Sequence, residues 1–378
     1  MWAPTTIHGG FSADLVSEIK KAVSIPVITV GRFTEPQYAE LLVKEGRADL
    51  VAFGRQSLAD PHMPEKAMEE RLEDLTPCIA CLQGCVANMY KGEPICCLTN
   101  PFLGHESEGY PKAEKSKKVM VIGGGVAGMC AAFICAERGH DVTLYESTDK
   151  LGGNMRLAAY PPGKGDISNM IRSYIVRCQK AGVKIVMNQE ADLDLVKAEK
   201  PDAVVVSTGS KTLILPIEGI DNPAIIHGSD LLDGKRAAGK KVLVVGGGMV
   251  GCETAAFLGE QEHDVTVIEF RDTVGADVIH EHRVYLMKDF EDYGIKEITG
   301  AKVCKFYEDG VEYETADGVR HESRGYDSVI LSMGFRNYNP LEEKIKDLVP
   351  ETHVIGDAIR ARRALDATKE AYEVASRI

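Results

Sequence analysis

Short apolar runs alternate with amphipathic stretches along most of this 378-residue chain, the pattern of an α/β protein. Near the start, SADLVSEIKKAV (12–23) shows one apolar helical face, with Ser12 placed as an N-cap. IPVITVG (25–31) is an almost wholly apolar strand, as in a parallel sheet covered on both faces. EPQYAELLVKEG (35–46) predicts a second helix and ADLVAFGR (48–55) a second buried strand. Farther on, PDAVVVSTGS (201–210) and SVILSMG (328–334) are apolar strands running into tight, small-residue turns. VCKFYEDGVEYETADG (303–318) reads as hairpins turning at Asp309-Gly310 and Asp317-Gly318. ETHVIGDA (351–358) leads into a terminal helix.

One unit of this pattern occurs twice. KKVMVIGGGVAGMCAAFICAERGHDVTLYES starts at Lys117, and KKVLVVGGGMVGCETAAFLGEQEHDVTVIEF starts at Lys240. Each is an apolar strand, a G-x-G-x-x-G turn, a small-residue helix and a second strand ending in an acid. The glycines are Gly123, Gly125 and Gly128 in the first copy, and Gly246, Gly248 and Gly251 in the second. The acids, Glu146 and Glu269, stand at equal spacing from them. The first glycine permits the tight turn, the second lets backbone approach a pyrophosphate, and the third lets helix pack on strand. The helix N-terminus then offers unpaired N–H groups to the phosphates. Two dinucleotide cradles in one chain imply a flavin with a nicotinamide, and hence electron transfer. An acid such as Glu269 bonds a ribose 2′-hydroxyl and repels a 2′-phosphate, which favours NADH over NADPH; Arg271, two residues on, softens the preference.

The two N-terminal strands each end in Gly-Arg, at Gly31-Arg32 and Gly54-Arg55. Basic strand ends in a βα repeat suit a phosphate site at the rim of a TIM barrel, although an ion pair at that rim is the simpler alternative. Two strands cannot close a barrel of eight, so the chain is expected to begin inside a larger enzyme. Left alone, their unpaired edges invite association, including with further copies of the chain.

A net charge of −13 argues against nucleic acid as partner. No apolar run reaches membrane-spanning length and no signal segment opens the chain, so a soluble, cytoplasmic protein is expected. Of ten cysteines, five crowd between Cys78 and Cys97. Cys78-x2-Cys81-x3-Cys85-x11-Cys97 divides its thiols three and one, which suits a 4Fe–4S cubane better than the paired knuckles of structural zinc. Zinc and unligated core cysteines remain the alternatives, and spacing does not exclude Cys96 as the fourth ligand. Cys130, Cys135, Cys178, Cys252 and Cys304 read as small core residues. No C-x(2–4)-C pair follows Glu146, which speaks against disulfide reduction. KLGGNMRLAAYPPGKGD (150–166) is a Gly/Pro-rich loop of the kind that closes over a cofactor, and HESEGYPKAEKSKK (105–118) is a polar linker.

Taken in order, GRF and GRQSLADP, the C-x2-C-x3-C-x11-C segment and the nested cradles resemble the 2,4-dienoyl-CoA reductase and trimethylamine dehydrogenase branch of the Old Yellow Enzyme family. The resemblance implies the end of an FMN-binding TIM barrel over 1–73 and an iron–sulfur segment with linker over 74–111. An FAD domain over 112–214 and 336–378 would then carry an inserted NAD(P)H domain over 215–335. It implies FMN-phosphate contacts at Arg32 and Arg55 with backbone at Gly31 and Gly54. Cluster ligands would be Cys78, Cys81, Cys85 and Cys97. FAD contacts would be Gly123, Gly125, Gly128, Glu146, Gly153, Asn154, Gly356 and Asp357; nicotinamide-dinucleotide contacts would be Gly246, Gly248, Gly251 and Glu269. Electrons would pass from NADH through FAD and the cluster to FMN, and then to an activated C=C of an enoyl substrate. Family members carry about six further βα units ahead of this region, which hold their acid/base residues, so no catalytic residue is carried over. The competing readings are a stand-alone NADH-to-acceptor module and a cofactor-binding remnant without turnover.

Overall fold

The computed structural model describes residues 2–108 and 111–378; positions 109 and 110 of the expected linker lie outside them. The chain divides into two units. One comprises residues up to Arg156, Asp166–Gly209 and Tyr338–Ile378; the other comprises Leu157–Gly165 and Ser210–Asn337. The unit changes at 209/210 and 337/338, where the sequence placed 214/215 and 335/336, and residues 157–165, expected within the 112–214 domain, fall in the second unit.

In the first unit, Ile28–Val30 pairs in parallel with Leu50–Ala52, Thr29 opposite Val51. Helices Ala13–Ala22 and Pro36–Lys44 flank them, and Ala13, Phe33 and Leu42 form a small buried cluster. The expectation that both strands are covered on both faces is not met: Ile28, Val30 and Leu50 are 58%, 61% and 56% exposed. With two strands in the sheet, each has one neighbour and one open edge. Ser12 likewise departs from its expected role. It stands at the N-cap position but makes no side-chain cap bond, and its hydroxyl donates instead to the carbonyl of Val30 at 2.6 Å.

The rest of this unit is a five-stranded parallel sheet in the order Glu351–Val354, Ala203–Val206, Lys118–Ile122, Asp141–Tyr145, Lys184–Val186. The first cradle's strand is central. Its helix, Val126–Glu137, packs against helices Asp166–Lys180 and Ala364–Ala375 and is buried from Val126 through Cys135. Such all-round burial explains why that helix has no polar face in the sequence.

The second unit repeats the plan. Its parallel sheet runs Lys296–Ile298, Asp264–Ile268, Lys241–Val245, Ser328–Leu331, Ile226–His227. A three-stranded antiparallel meander, Lys302–Tyr307, Gly310–Glu314 and Arg320–Ser323, occupies the expected hairpin region. Tyr307 pairs with Gly310, so the first turn is Glu308–Asp309, one residue earlier than expected. Gly318 adopts φ +79°, as a turn there requires. Cys130, Cys135, Cys178 and Cys252 are buried as expected. Cys304 is not a core residue: it sits half-buried on the meander's outer strand. Among the described residues no helix is long and apolar enough to cross a membrane.

Candidate functional site

The two cradles are built by the same set of hydrogen bonds. In the first, Glu146 accepts from the Gly124 N–H at 2.8 Å with one oxygen and from the Thr148 N–H at 2.8 Å with the other. In the second, Glu269 accepts from the Gly247 N–H at 2.5 Å and from the Arg271 N–H at 2.9 Å. Each acid thus fixes the middle of its glycine turn, taking one backbone N–H on each oxygen. The chain beyond the acid then returns to the turn. Gly152 N–H donates to Gly124 O at 2.9 Å, and Gly275 N–H to Gly247 O at 2.7 Å.

Sequence reasoning missed these partners. A Cβ on Gly124 would meet Leu151 at 2.5 Å and the Glu146 carboxylate at 3.0 Å, and one on Gly247 would meet Cβ of Glu269 at 2.8 Å. The signal was the middle glycine of each G-G-G run. Gly152 adopts φ +108° and Gly275 φ +62°, so both depend on glycine's freedom.

At the first cradle the structure gathers most of the expected flavin contacts. A Cβ on Gly153 would lie 3.2 Å from Cα of Gly125, so the loop passes directly over the glycine turn. Asn154 opens the short helix Asn154–Leu157 beside it. Gly356, at φ +63°, packs against Ala127 of the cradle helix, and its N–H donates to Glu370 at 2.7 Å. Asp357 accepts from the Arg362 N–H at 3.0 Å. A dinucleotide fits this turn: the carbon-free approach at Gly125, with no atom within 4 Å of a Cβ there, is the opening a pyrophosphate needs.

The second cradle differs in two ways. Asp277 accepts from the Met249 N–H at 2.9 Å, placing a carboxylate at the cradle helix's N-terminus. Lys164, from the Gly/Pro-rich loop, forms a largely buried ion pair with Glu253 on that helix. An acid two residues past the last glycine, in an otherwise small and apolar helix, was the unread signal.

Cys78, Cys81, Cys85 and Cys97 line one cavity, with Cys96 and the apolar side chains of Leu58, Ile79, Leu82 and Leu98. Among the described residues no three His, Cys, Asp or Glu side chains converge on a single-ion position. Four thiols around one cavity are a donor set of the kind that holds an iron–sulfur cluster. Burial pushes the Cys78 thiol up to about 11 and those of Cys81 and Cys85 upward too. Thr99 stands 3.3 Å from the Cys97 sulfur.

Arg55 also lines this cavity, and one of its nitrogens donates to Ala3 O at 2.8 Å. Arg32 is more deeply held. Its guanidinium donates to Thr5 O at 2.9 Å and to Pro4 O at 3.3 Å, and it pairs with Asp166 at the start of helix Asp166–Lys180. Burial lowers its pKa to about 10, with Arg55 adding a smaller push in the same direction. A Cβ on Gly31 would stand 2.3 Å from the Ser12 hydroxyl and displace it, whereas Gly54 has open space. The two Gly-Arg strand ends thus meet at residues 3–5, beside the cysteines.

Residues 117–353 match the family described as pyridine nucleotide-disulphide oxidoreductase, and residues 5–74 match the NADH:flavin oxidoreductase / NADH oxidase family. The chain is similar to an NADH oxidase of Thermoanaerobacter brockii, 37% identical over 384 residues, covering 99% of this chain and 59% of that protein. It is also similar to a cinnamate reductase of Clostridium sporogenes, 34% identical, covering 95% of this chain and 54% of that protein. A solved structure of a 2-naphthoyl-CoA reductase bound to 2-naphthoyl-CoA superposes with a TM-score of 0.96 at 33% identity, covering 100% of this chain and 58% of that one. The chain thus spans somewhat over half the length of these relatives. Its cradles, strand order and N-terminal segment place it in the pyridine nucleotide-disulphide oxidoreductase family, in the Old Yellow Enzyme-related branch that joins this fold to an NADH:flavin oxidoreductase segment.

Proposed function

We propose that this chain is the NADH-oxidising, electron-carrying part of a flavin and iron–sulfur reductase acting on an activated C=C of enoate or enoyl-CoA type. The observation that supports it most is one acid-clamped glycine turn built twice in a chain that also gathers four cysteines around one cavity. The first cradle takes FAD, the second NADH, the cysteines a 4Fe–4S cluster, and the Gly-Arg strand ends the phosphate of FMN in the longer enzyme. When bound, these groups supply hydride acceptance and one-electron carriage, chemistry that no side chain offers.

The chain's own residues bind, orient and tune. Glu146 and Glu269 hold the glycine turns still and keep acceptor capacity for a ribose hydroxyl; at Glu269 the same charge repels a 2′-phosphate and selects NADH. The cradle helices present their first N–H groups to a pyrophosphate. Burial favours the protonated thiols of Cys78, Cys81 and Cys85, so iron binding there releases protons. The Lys164–Glu253 pair keeps a buried carboxylate compensated within the nicotinamide-binding unit.

Anaerobically purified protein is expected to hold FAD and, per chain, about four iron and four acid-labile sulfide. With ferricyanide as acceptor, kcat/KM should be higher for NADH than for NADPH, and Glu269→Ala should narrow the gap. For residues 1–378 as purified, FMN should be substoichiometric and a cinnamoyl or dienoyl chromophore should persist, because the N-terminal sheet has two strands among the described residues. Stoichiometric FMN with robust C=C reduction would overturn that limit. One zinc and no iron would overturn the cluster assignment.

A further inference from the structure

We propose that Arg55 is the counter-charge of the cluster and sets its reduction potential. This rests on the iron–sulfur reading above and goes beyond it by giving a strand-end arginine, expected to address a phosphate, a second duty toward the cysteine cavity. Arg55 is the one charged side chain in the cavity lining among the described residues; the other non-cysteine walls are Leu58, Ile79, Leu82, Leu98 and smaller groups, with Thr99 the one hydroxyl. Its guanidinium is pinned by the bond to Ala3 O rather than free to swing into water. The chain places it there by topology: strand Leu50–Ala52 leads through Phe53 to Gly54, and Arg55 opens the helix Arg55–Ala59 whose Leu58 forms another wall.

Charge, hydrogen bonding to sulfur and exposure are the levers on such potentials. One-electron reduction makes a cluster one unit more negative, with no bond formed and no proton moved. A fixed cation in a poorly hydrated wall stabilises the reduced form more than the oxidised one. Removing it should therefore lower the midpoint potential.

The test is an EPR-monitored potentiometric titration of the anaerobically reconstituted full chain, with iron and sulfide measured on every sample. Arg55→Gln and Arg55→Met remove the charge, Arg55→Lys keeps it, and Arg47→Gln removes a surface arginine elsewhere. The neutral variants should lower the one-electron reduction equilibrium roughly tenfold, ~59 mV. The lysine variant should stay within about threefold of wild type and Arg47→Gln should not move. Loss of iron from both neutral variants, with full uptake by the lysine variant, would show the same dependence on charge and supports the proposal. A fully loaded neutral variant with an unmoved midpoint overturns it, as does loss of iron from all three Arg55 variants, which would make the role steric. A wild-type chain that takes up no iron removes the underlying reading instead, and the iron analysis separates that failure from the others.

Discussion

Replacing Gly251 by alanine would set a methyl carbon 1.8 Å from the carbonyl oxygen of Gly246, about 1.5 Å inside the ~3.3 Å at which such atoms normally meet. The oxygen cannot retreat easily. Gly246 N–H is bonded to Ile268 O at 2.9 Å and Gly247 N–H to Glu269, and Ser332 O lies close behind the Gly246 Cα. The helix Met249–Glu260 must therefore lift off its strand. Overpacking of this kind costs about 1–3 kcal/mol, and the rigid backing argues for the upper end. At roughly 2–4 °C per kcal/mol, the second unit's transition should fall by about 6–12 °C. Gly248 is the control. Its φ of −72° suits any residue, and a Cβ would find nothing nearer than the Asp277 carboxylate at 3.6 Å. Gly248→Ala should fold within ~0.5 kcal/mol of wild type. Its methyl stands where a pyrophosphate must approach, so NADH affinity should drop at least tenfold, ~1.4 kcal/mol. Calorimetric unfolding and NADH titration calorimetry on both variants separate the two roles. Gly251→Ala melting within 2 °C of wild type, or Gly248→Ala losing stability but not affinity, would refute the reasoning.

The other expectations involve single side chains. Tyr174 is fully buried and donates to Leu98 O at 3.2 Å, beside Cys97; Tyr174→Phe should cost ~1–2 kcal/mol in urea unfolding and speed iron loss to a chelator. Asp277→Asn removes a carboxylate that holds the Met249 N–H against a phosphate, so NADH should bind several-fold tighter at low salt, and unchanged affinity would count against it. Burial, with Asp292 and Glu260, raises the Asp289 carboxyl to about 6 from an ordinary 3.8. The native state then binds more protons than the unfolded one across that window, so stability from this group falls as pH rises from 4 to 6. Asp289→Asn should raise the melting temperature at pH 7.5, with the gain fading toward pH 4. Cys97→Ser should remove iron whereas Cys96→Ser should retain it, and the reverse result would move the fourth ligand.

Each cradle could be read directly because its parts are contiguous. Strand, glycine turn, small-residue helix and terminal acid follow one another, and a repeated spacing leaves little freedom in how they close. The interior strands of the two five-stranded sheets were legible because burial on both faces writes itself as an unbroken apolar run such as AVVV or VLVV, although Ile28–Val30, equally apolar, is largely exposed. The cysteine spacing named candidate ligands. Sheet order, by contrast, was decided by packing: Glu351–Val354 reaches Ala203–Val206 across more than a hundred intervening residues. The same holds for Gly356 against Ala127, Tyr174 against Leu98, Arg32 with Asp166 and Arg55 in the cysteine wall. These contacts join side chains whose local sequence carries no trace of the partner, because a hydrogen bond or ion pair constrains distance in space and not separation along the chain. Ser12 shows the limit from the other side: its local pattern said N-cap, and a carbonyl eighteen residues away, brought near by the strand, took the hydroxyl instead.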